Sequence, residues 1–112
     1  MNVYHYMTSG GKDLILDYIM SLSKLEIVDG LSVLECFEND ELEKLTIKPW
    51  RGKVWEVYFY KHNRMFYAAI DDKDVYMHHA CRKQKNKTEK TDSEIVMKRA
   101  KELGDALSKK IV

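Results

Sequence analysis

The sequence predicts an α+β fold: a small, mostly antiparallel sheet with an N-terminal helical hairpin and a C-terminal helix. Three observations predict it. Residues 55–88, WEVYFYKHNRMFYAAIDDKDVYMHHACRKQKNKT, hold three runs rich in aromatic and β-branched residues, broken by two short polar turns. Two consecutive stretches with apolar residues at helical spacing precede them, and one follows. At 112 residues the chain reads as one domain over 1–112, large enough for a modest core.

Taken in order, Asn2 to Met7 is short and aromatic and reads as a first or edge strand, ended by Thr8-Ser9-Gly10-Gly11. Lys12 to Leu22 reads as a helix: Leu14, Ile15, Tyr18, Ile19 and Leu22 fall on one side, Asp13 and Asp17 on the other. Asp13 in the first turn suits the helix dipole. Ser23 with Glu26 has capping-box spacing and opens a second helix, striped by Ile27, Leu31 and Leu34 with Val28 and Phe37 beside them. Gly30 weakens that helix by about 1 kcal/mol of propensity, and Asn39-Asp40 ends it. Glu41 to Lys48 has no clear period; Pro49 closes any helix there, and residues 50–53 lead into the sheet. In Val54 to Tyr60, Trp55, Val57 and Phe59 alternate with Glu56, Tyr58 and Tyr60, which sets the first group toward a core. Arg64 to Ile70 and Val75 to Lys83 are the next strands, and their short connections favour a meander. Thr91 with Glu94 repeats the capping-box spacing, and Val96, Ala100, Leu103 and Leu107 carry the last helix. Gly104 is a point where it frays, and Ser108 to Val112 reads as loose.

The composition is that of an ordinary globular chain, 45% hydrophobic and 33% charged. Its net charge of +1 hides an asymmetry: residues 1–50 carry 4 Lys and 9 acidic residues, and residues 51–112 carry 15 Lys and Arg and 9 acidic residues. A basic C-terminal half fits a phosphate-rich ligand as well as a merely dipolar surface. Cys36 and Cys81 lack CxxC spacing and sit among apolar neighbours, so they read as buried free thiols of a reducing cytoplasm, with no metal signature. No secretory signal and no apolar run of membrane-spanning length is evident, so a cytoplasmic protein without a membrane partner is expected.

The polar residues of the strands suggest chemistry. Glu56 and Tyr58 share a face, Arg64 opens the next strand, His78 and His79 point to opposite sides of the last if it is regular, and Arg82, Lys83, Lys85 and Lys87 continue past its end. That inventory suits RNA strand scission. The 2′-hydroxyl must lose a proton, the leaving 5′-oxygen must gain one, and the phosphorane needs cations. Histidine transfers protons near neutral pH; arginine and lysine stabilise the developing charge; tyrosine stacks or donates. The ordinary alternatives are a structural histidine pair and a solvated lysine run. Adjacent strand histidines diverge and make a poor chelate.

Three segments, RGKVWEVYF at 51–59, NRMFYAAI at 63–70 and HACRKQKNKT at 79–88, resemble in their order the RelE/HigB-like toxins of bacterial type II toxin–antitoxin systems, particularly the phage-associated HigB branch. Trp55 and Glu56 match a W-E pair, Arg64 and Tyr67 an R-x-x-Y strand, His79 and Lys83 a following histidine and lysine, and Lys87-Thr88 a closing K-T. Tyr58 stands where the family usually has arginine, Cys81 replaces an aromatic and Gln84 a lysine. The resemblance implies a RelE-like fold and an mRNA endonuclease that cuts on the translating ribosome by general acid–base chemistry, with no metal or other cofactor. It implies Arg64, His79, Lys83 and Lys87 as catalytic residues; the remaining candidates for RNA contact are Arg51, Lys53, Tyr58, Arg82 and Lys85. Its implied partners are mRNA, the ribosome and a cognate antitoxin of helix-turn-helix type, with no DNA binding by this chain alone. Two other readings stay open: a binding module of the same fold that has lost activity, favoured by Tyr58 and Gln84, and an interaction protein with no RNA role.

Overall fold

The computed structural model describes residues 1–83 and 88–112. The order is β1 (Asn2–His5), α1 (Leu14–Met20), α2 (Lys24–Glu38), a 3-10 turn (Leu42–Lys44), β2 (Thr46–Arg51), β3 (Val54–Phe59), β4 (Asn63–Ala69), β5 (Asp74–Arg82) and α3 (Lys90–Leu107). The strands form one sheet in the order β1-β5-β4-β3-β2. Strands β2 to β5 are an antiparallel meander, and β1 adds in parallel to β5. The predicted α+β architecture is the observed one. Among the described residues, no helix is long and apolar enough to cross a membrane.

Strand β2 occupies the stretch whose period the sequence left unclear. Pro49 is tolerated because β2 is an edge strand, and the register shifts between Pro49 and Arg51. Helices cover both faces of the sheet. Val57, Phe59, Met65, Tyr67, Val75 and Met77 pack against Ile15, Ile19, Val33, Leu34 and Phe37 of α1 and α2. On the other face Val54, Phe66, Ala68 and Cys81 meet Val96 and Ala100 of α3. Trp55, expected in the core with Val57 and Phe59, stays partly exposed near the sheet edge.

Polar contacts fix α2 on its face. Ser23 is the N-cap residue, but its hydroxyl donates to Glu26 Oε1 (2.8 Å) and does not accept a backbone N–H of the first turn as in a capping box. Glu26 turns into the sheet, where its Oε2 accepts from Asn63 Nδ2 (2.6 Å) and Arg82 Nη2 (3.1 Å). Tyr18 of α1 donates to Asn63 Oδ1 (2.6 Å). The hydrogen bonds from Asn63 and Ser23 hold the Glu26 carboxyl down to about 2. Asp29 accepts the Tyr60 N–H (2.6 Å), pinning a turn in which Tyr60 and Lys61 both have positive φ. That conformation costs a non-glycine residue about 1–2 kcal/mol, so the contact from α2 is needed.

The C-terminal residues differ from expectation. Helix α3 starts after Glu89, not Thr91, and runs through Gly104 to Leu107. Residues 108–112 are not loose: Ser108 takes a left-handed conformation, and Ile111 turns back to be 2% exposed against the α3-side core. Its carbonyl accepts the Lys53 N–H (2.7 Å). Gly52 permits this approach: its φ is +56°, and a methyl group at its Cα would run into the Ile111 carbonyl oxygen.

Two outcomes follow from these contacts. Gly52→Ala should destabilise the protein by about 2–4 kcal/mol in urea unfolding, combining left-handed strain with a backbone clash; a midpoint unchanged from wild type would remove Ile111 from its assigned place. Glu26 has a depressed folded-state value, so its contribution is complete above the ordinary glutamate range, about 4.3, and is lost as pH falls toward about 2. Glu26→Gln should therefore lower stability at neutral pH and show a shallower loss of stability than wild type through that acid window. Parallel acid limbs in the two proteins would refute the network.

Candidate functional site

Antiparallel register brings two rows of side chains together on the α3 side of the sheet. Tyr58, Arg64 and Cys81 lie opposite one another on β3, β4 and β5; Glu56, Phe66 and His79 form the next row. At the centre is Arg64, 1% exposed. Its Nη1 donates to Glu56 Oε2 (3.3 Å), and its guanidinium carbon lies 5.3 Å from the centre of the Phe66 ring. Its Nε and Nη2 have no acceptor among the described residues. The Tyr58 hydroxyl donates to the second oxygen of Glu56. Burial first, and then that carboxylate, raises the Tyr58 hydroxyl above the usual phenol range. Two ammonium groups flank the Tyr58 ring, Lys83 at 4.9 Å and Lys48 at 5.2 Å from its centre.

The histidines sit differently from what their spacing suggests. Phe66 pairs with His79 and Tyr67 with Met77, so His78 is an extra residue in β5 and simple alternation fails there. Both histidines are buried. His79 Nε2 bonds Asp92 Oδ1 of α3 (2.8 Å), and Arg99 Nη1 sits 3.4 Å from its Nδ1 while donating to the His78 carbonyl (2.9 Å). Arg99 is itself stacked on Tyr6. With arginine as donor to Nδ1, the proton of neutral His79 is on Nε2, facing Asp92. Burial lowers the His79 value, with Asp92 opposing it; burial pushes His78 down to about 4.

Of the sequence candidates, Tyr58, Arg64, His79 and Lys83 are brought to this face. Arg82 faces α2 and pairs with Glu26. Arg51 lies over Trp50 and against Met97 of α3, at the other end of the β2–β3 hairpin, and exposed Lys53 sits in the turn of that hairpin. Lys85 and Lys87, with Gln84, lie outside the described residues. Sequence reasoning named Glu56 only as a motif match and a neighbour of Tyr58, and it missed Lys48, Asp92 and Arg99. The legible signals were the W-E pair for Glu56 and an acid in the first turn of the last helix for Asp92.

His79, Cys81 and Asp92 present donor atoms all within 4.8 Å of one another. Burial pushes the Cys81 thiol up to about 11, away from the thiolate a metal needs. Arg99 borders His79, and Arg64 lies beside Cys81. Two guanidiniums suit an anion on this face better than a dication.

A family model described as phage-derived protein Gp49-like matches residues 17–101. A search of curated proteins finds no match.

The buried ion pair gives a direct check. Glu56→Gln should cost about 3–5 kcal/mol in urea unfolding, because it strands the Arg64 charge, and adding Arg64→Met should recover part of the loss. A cost under about 1 kcal/mol for Glu56→Gln would mean that Arg64 is not held by this pair.

Proposed function

This chain belongs to the Gp49-like family of phage-derived proteins, which is associated with the toxins of toxin–antitoxin systems, and from that membership and the site geometry we propose that it is a metal-independent mRNA endonuclease of the RelE/HigB type, acting on the translating ribosome. The observation that carries the reading is Arg64: a buried guanidinium whose Nε and Nη2 have no acceptor among the described residues, beside a carboxylate and a phenol whose ring two lysines flank. A phosphate supplies the acceptors that Arg64 lacks.

The roles follow from this arrangement. Glu56, hydrogen-bonded to Arg64, takes the 2′-hydroxyl proton, directly or through the Tyr58 hydroxyl. The freed 2′-oxygen attacks the adjacent phosphorus. Arg64 and Lys83 stabilise the added negative charge. The 5′-oxygen leaves with a proton supplied by Lys83 or by water, giving a 2′,3′-cyclic phosphate and a 5′-hydroxyl. His79 is a positioning residue: both ring nitrogens are engaged, and its bond to Asp92 ties β5 to α3. The family association also implies an antitoxin as partner. One observation favours a second reading, a module that binds RNA without cutting it: Arg64 and His79 are both buried, and RNA must open the Tyr58–Lys83 side to reach them.

The test is controlled expression of the wild-type chain beside Tyr58→Phe/Lys83→Ala, with growth followed and mRNA 5′ ends mapped. Growth arrest with new ends in translated messages is expected for wild type, and cleavage about 10²–10⁴-fold lower in a folded variant. Arrest without new ends would favour the binding module, and a folded wild-type chain that neither arrests growth nor cuts RNA would overturn the proposal.

A further inference from the structure

The outer layer of the molecule, across the sheet from Arg64, carries an unusual surface. Leu25, Val28 and Leu31 of α2 are 64%, 61% and 41% exposed, and Met20 at the end of α1 is 57% exposed. The inward side of α2 is already supplied by Ile27, Gly30, Val33, Leu34 and Phe37. At about 100° per residue, Leu25, Val28 and Leu31 fall within roughly a third of the helix circumference, so they form one stripe. Single exposed apolar residues are ordinary; three on one helical stripe mark an interaction surface. The sequence pattern assigned Val28 and Leu31 to the buried side because the helix has more apolar positions than its core face can use.

The surroundings of the stripe select the occupant. Glu35 and Glu38 are exposed on the same helix, Asp17 pairs with Lys12 (3.5 Å) and Asp40 with the N-terminal ammonium (3.4 Å), and Lys24 is the one exposed lysine of α2. Residues 1–50, which include that layer, carry 9 acidic residues against 4 lysines. RNA and an anionic lipid surface would both meet repulsion there. A second copy docked through the same patch would set acidic rim against acidic rim, because a two-fold interface is self-complementary only if its charges are. An apolar helix face with Lys and Arg at its margins satisfies both the stripe and the rim, and helices pack well ridge into groove on such a surface.

We propose that the solvent face of α2, with Met20, is the docking surface for the antitoxin, and that the docking segment is an amphipathic helix with basic margins. The proposal rests on the toxin–antitoxin reading and deepens it by placing the partner. The antitoxin then holds the toxin from the layer opposite Arg64, Glu56 and Lys83, and the anion-seeking face stays out of the primary contact.

The experiment uses the antitoxin polypeptide encoded beside this chain, co-expressed and purified, with binding to the full-length toxin measured by calorimetry. Val28→Glu and Leu31→Glu change exposed positions and should leave the fold intact, checked by thermal unfolding. Each should weaken binding about 30-fold or more, as loss of an anchor residue does, and Glu35→Lys should weaken it by charge reversal. Lys48→Ala/Lys83→Ala should stay near wild-type affinity. Loss of binding in the lysine variant with none in the α2 variants would overturn the proposal. So would a concentration-dependent dimer of the toxin alone that Val28→Glu dissolves, which would assign the stripe to a second copy. A wild-type chain that arrests growth and cuts RNA but does not bind the antitoxin would sink this inference and leave the enzymatic reading standing. A chain that does none of the three would sink both.

Discussion

A guanidinium buried in the middle of a sheet constrains everything near it. Removing Arg64 from water costs several kcal/mol, and the interaction with Glu56 offsets this only if geometry and neighbours cooperate. Glu56 accepts from Arg64 through one oxygen, and the Tyr58 hydroxyl satisfies the other. Phe66 offers its ring to the cation, and Lys48 and Lys83 gather at the phenol that closes the site. Nε and Nη2 of Arg64 have no acceptor among the described residues. An apolar isostere would serve folding at lower cost, so the pair is not explained by stability alone.

The sheet separates two tasks. The face toward α1 and α2 is a conventional core with one polar seam, in which Ser23, Glu26, Asn63, Tyr18 and Arg82 satisfy one another. That seam uses Arg82 for structure, which removes it from the cationic face despite its place in the basic run. The face toward α3 mixes a smaller apolar cluster with the Arg64 constellation, and Ile111 completes the cluster by folding back over Gly52. Negative charge is concentrated on the helical hairpin and positive charge on the strands and beyond. Two surfaces of opposite chemistry on opposite layers allow two partners without competition for the same atoms.

Much of this was legible in the sequence because period and register carry it. Alternation in β3 placed Glu56 and Tyr58 together against Val57 and Phe59, and the short connections gave the meander. Strand β2 was hidden by Pro49, which reads as a breaker unless the strand is known to be an edge. The capping-box spacing at Ser23 and Glu26 was real, but tertiary partners captured Glu26. Thr91 had the same spacing and no capping role, since α3 begins earlier. The fold-back of residues 108–112 depends on a close approach at Gly52, far away in sequence, and no local pattern records it.

The surroundings of the site were less legible than the fold, and His79 shows why. A histidine in a strand above a basic run suggests a proton-transfer group, because its ordinary value lies near neutrality. Burial moves that value down, and the extra residue at His78 turns the ring into contact with Asp92 and Arg99, which occupy both nitrogens. A group with both nitrogens committed serves orientation better than exchange. Beside Arg64 stands Glu56, a carboxylate that accepts from the guanidinium and from the Tyr58 hydroxyl. Tyr58 adds a hydroxyl to that carboxylate where an arginine would add a cation. Lys48 and Lys83 supply the cations there, brought to the same ring by the pleat of β2 and the end of β5.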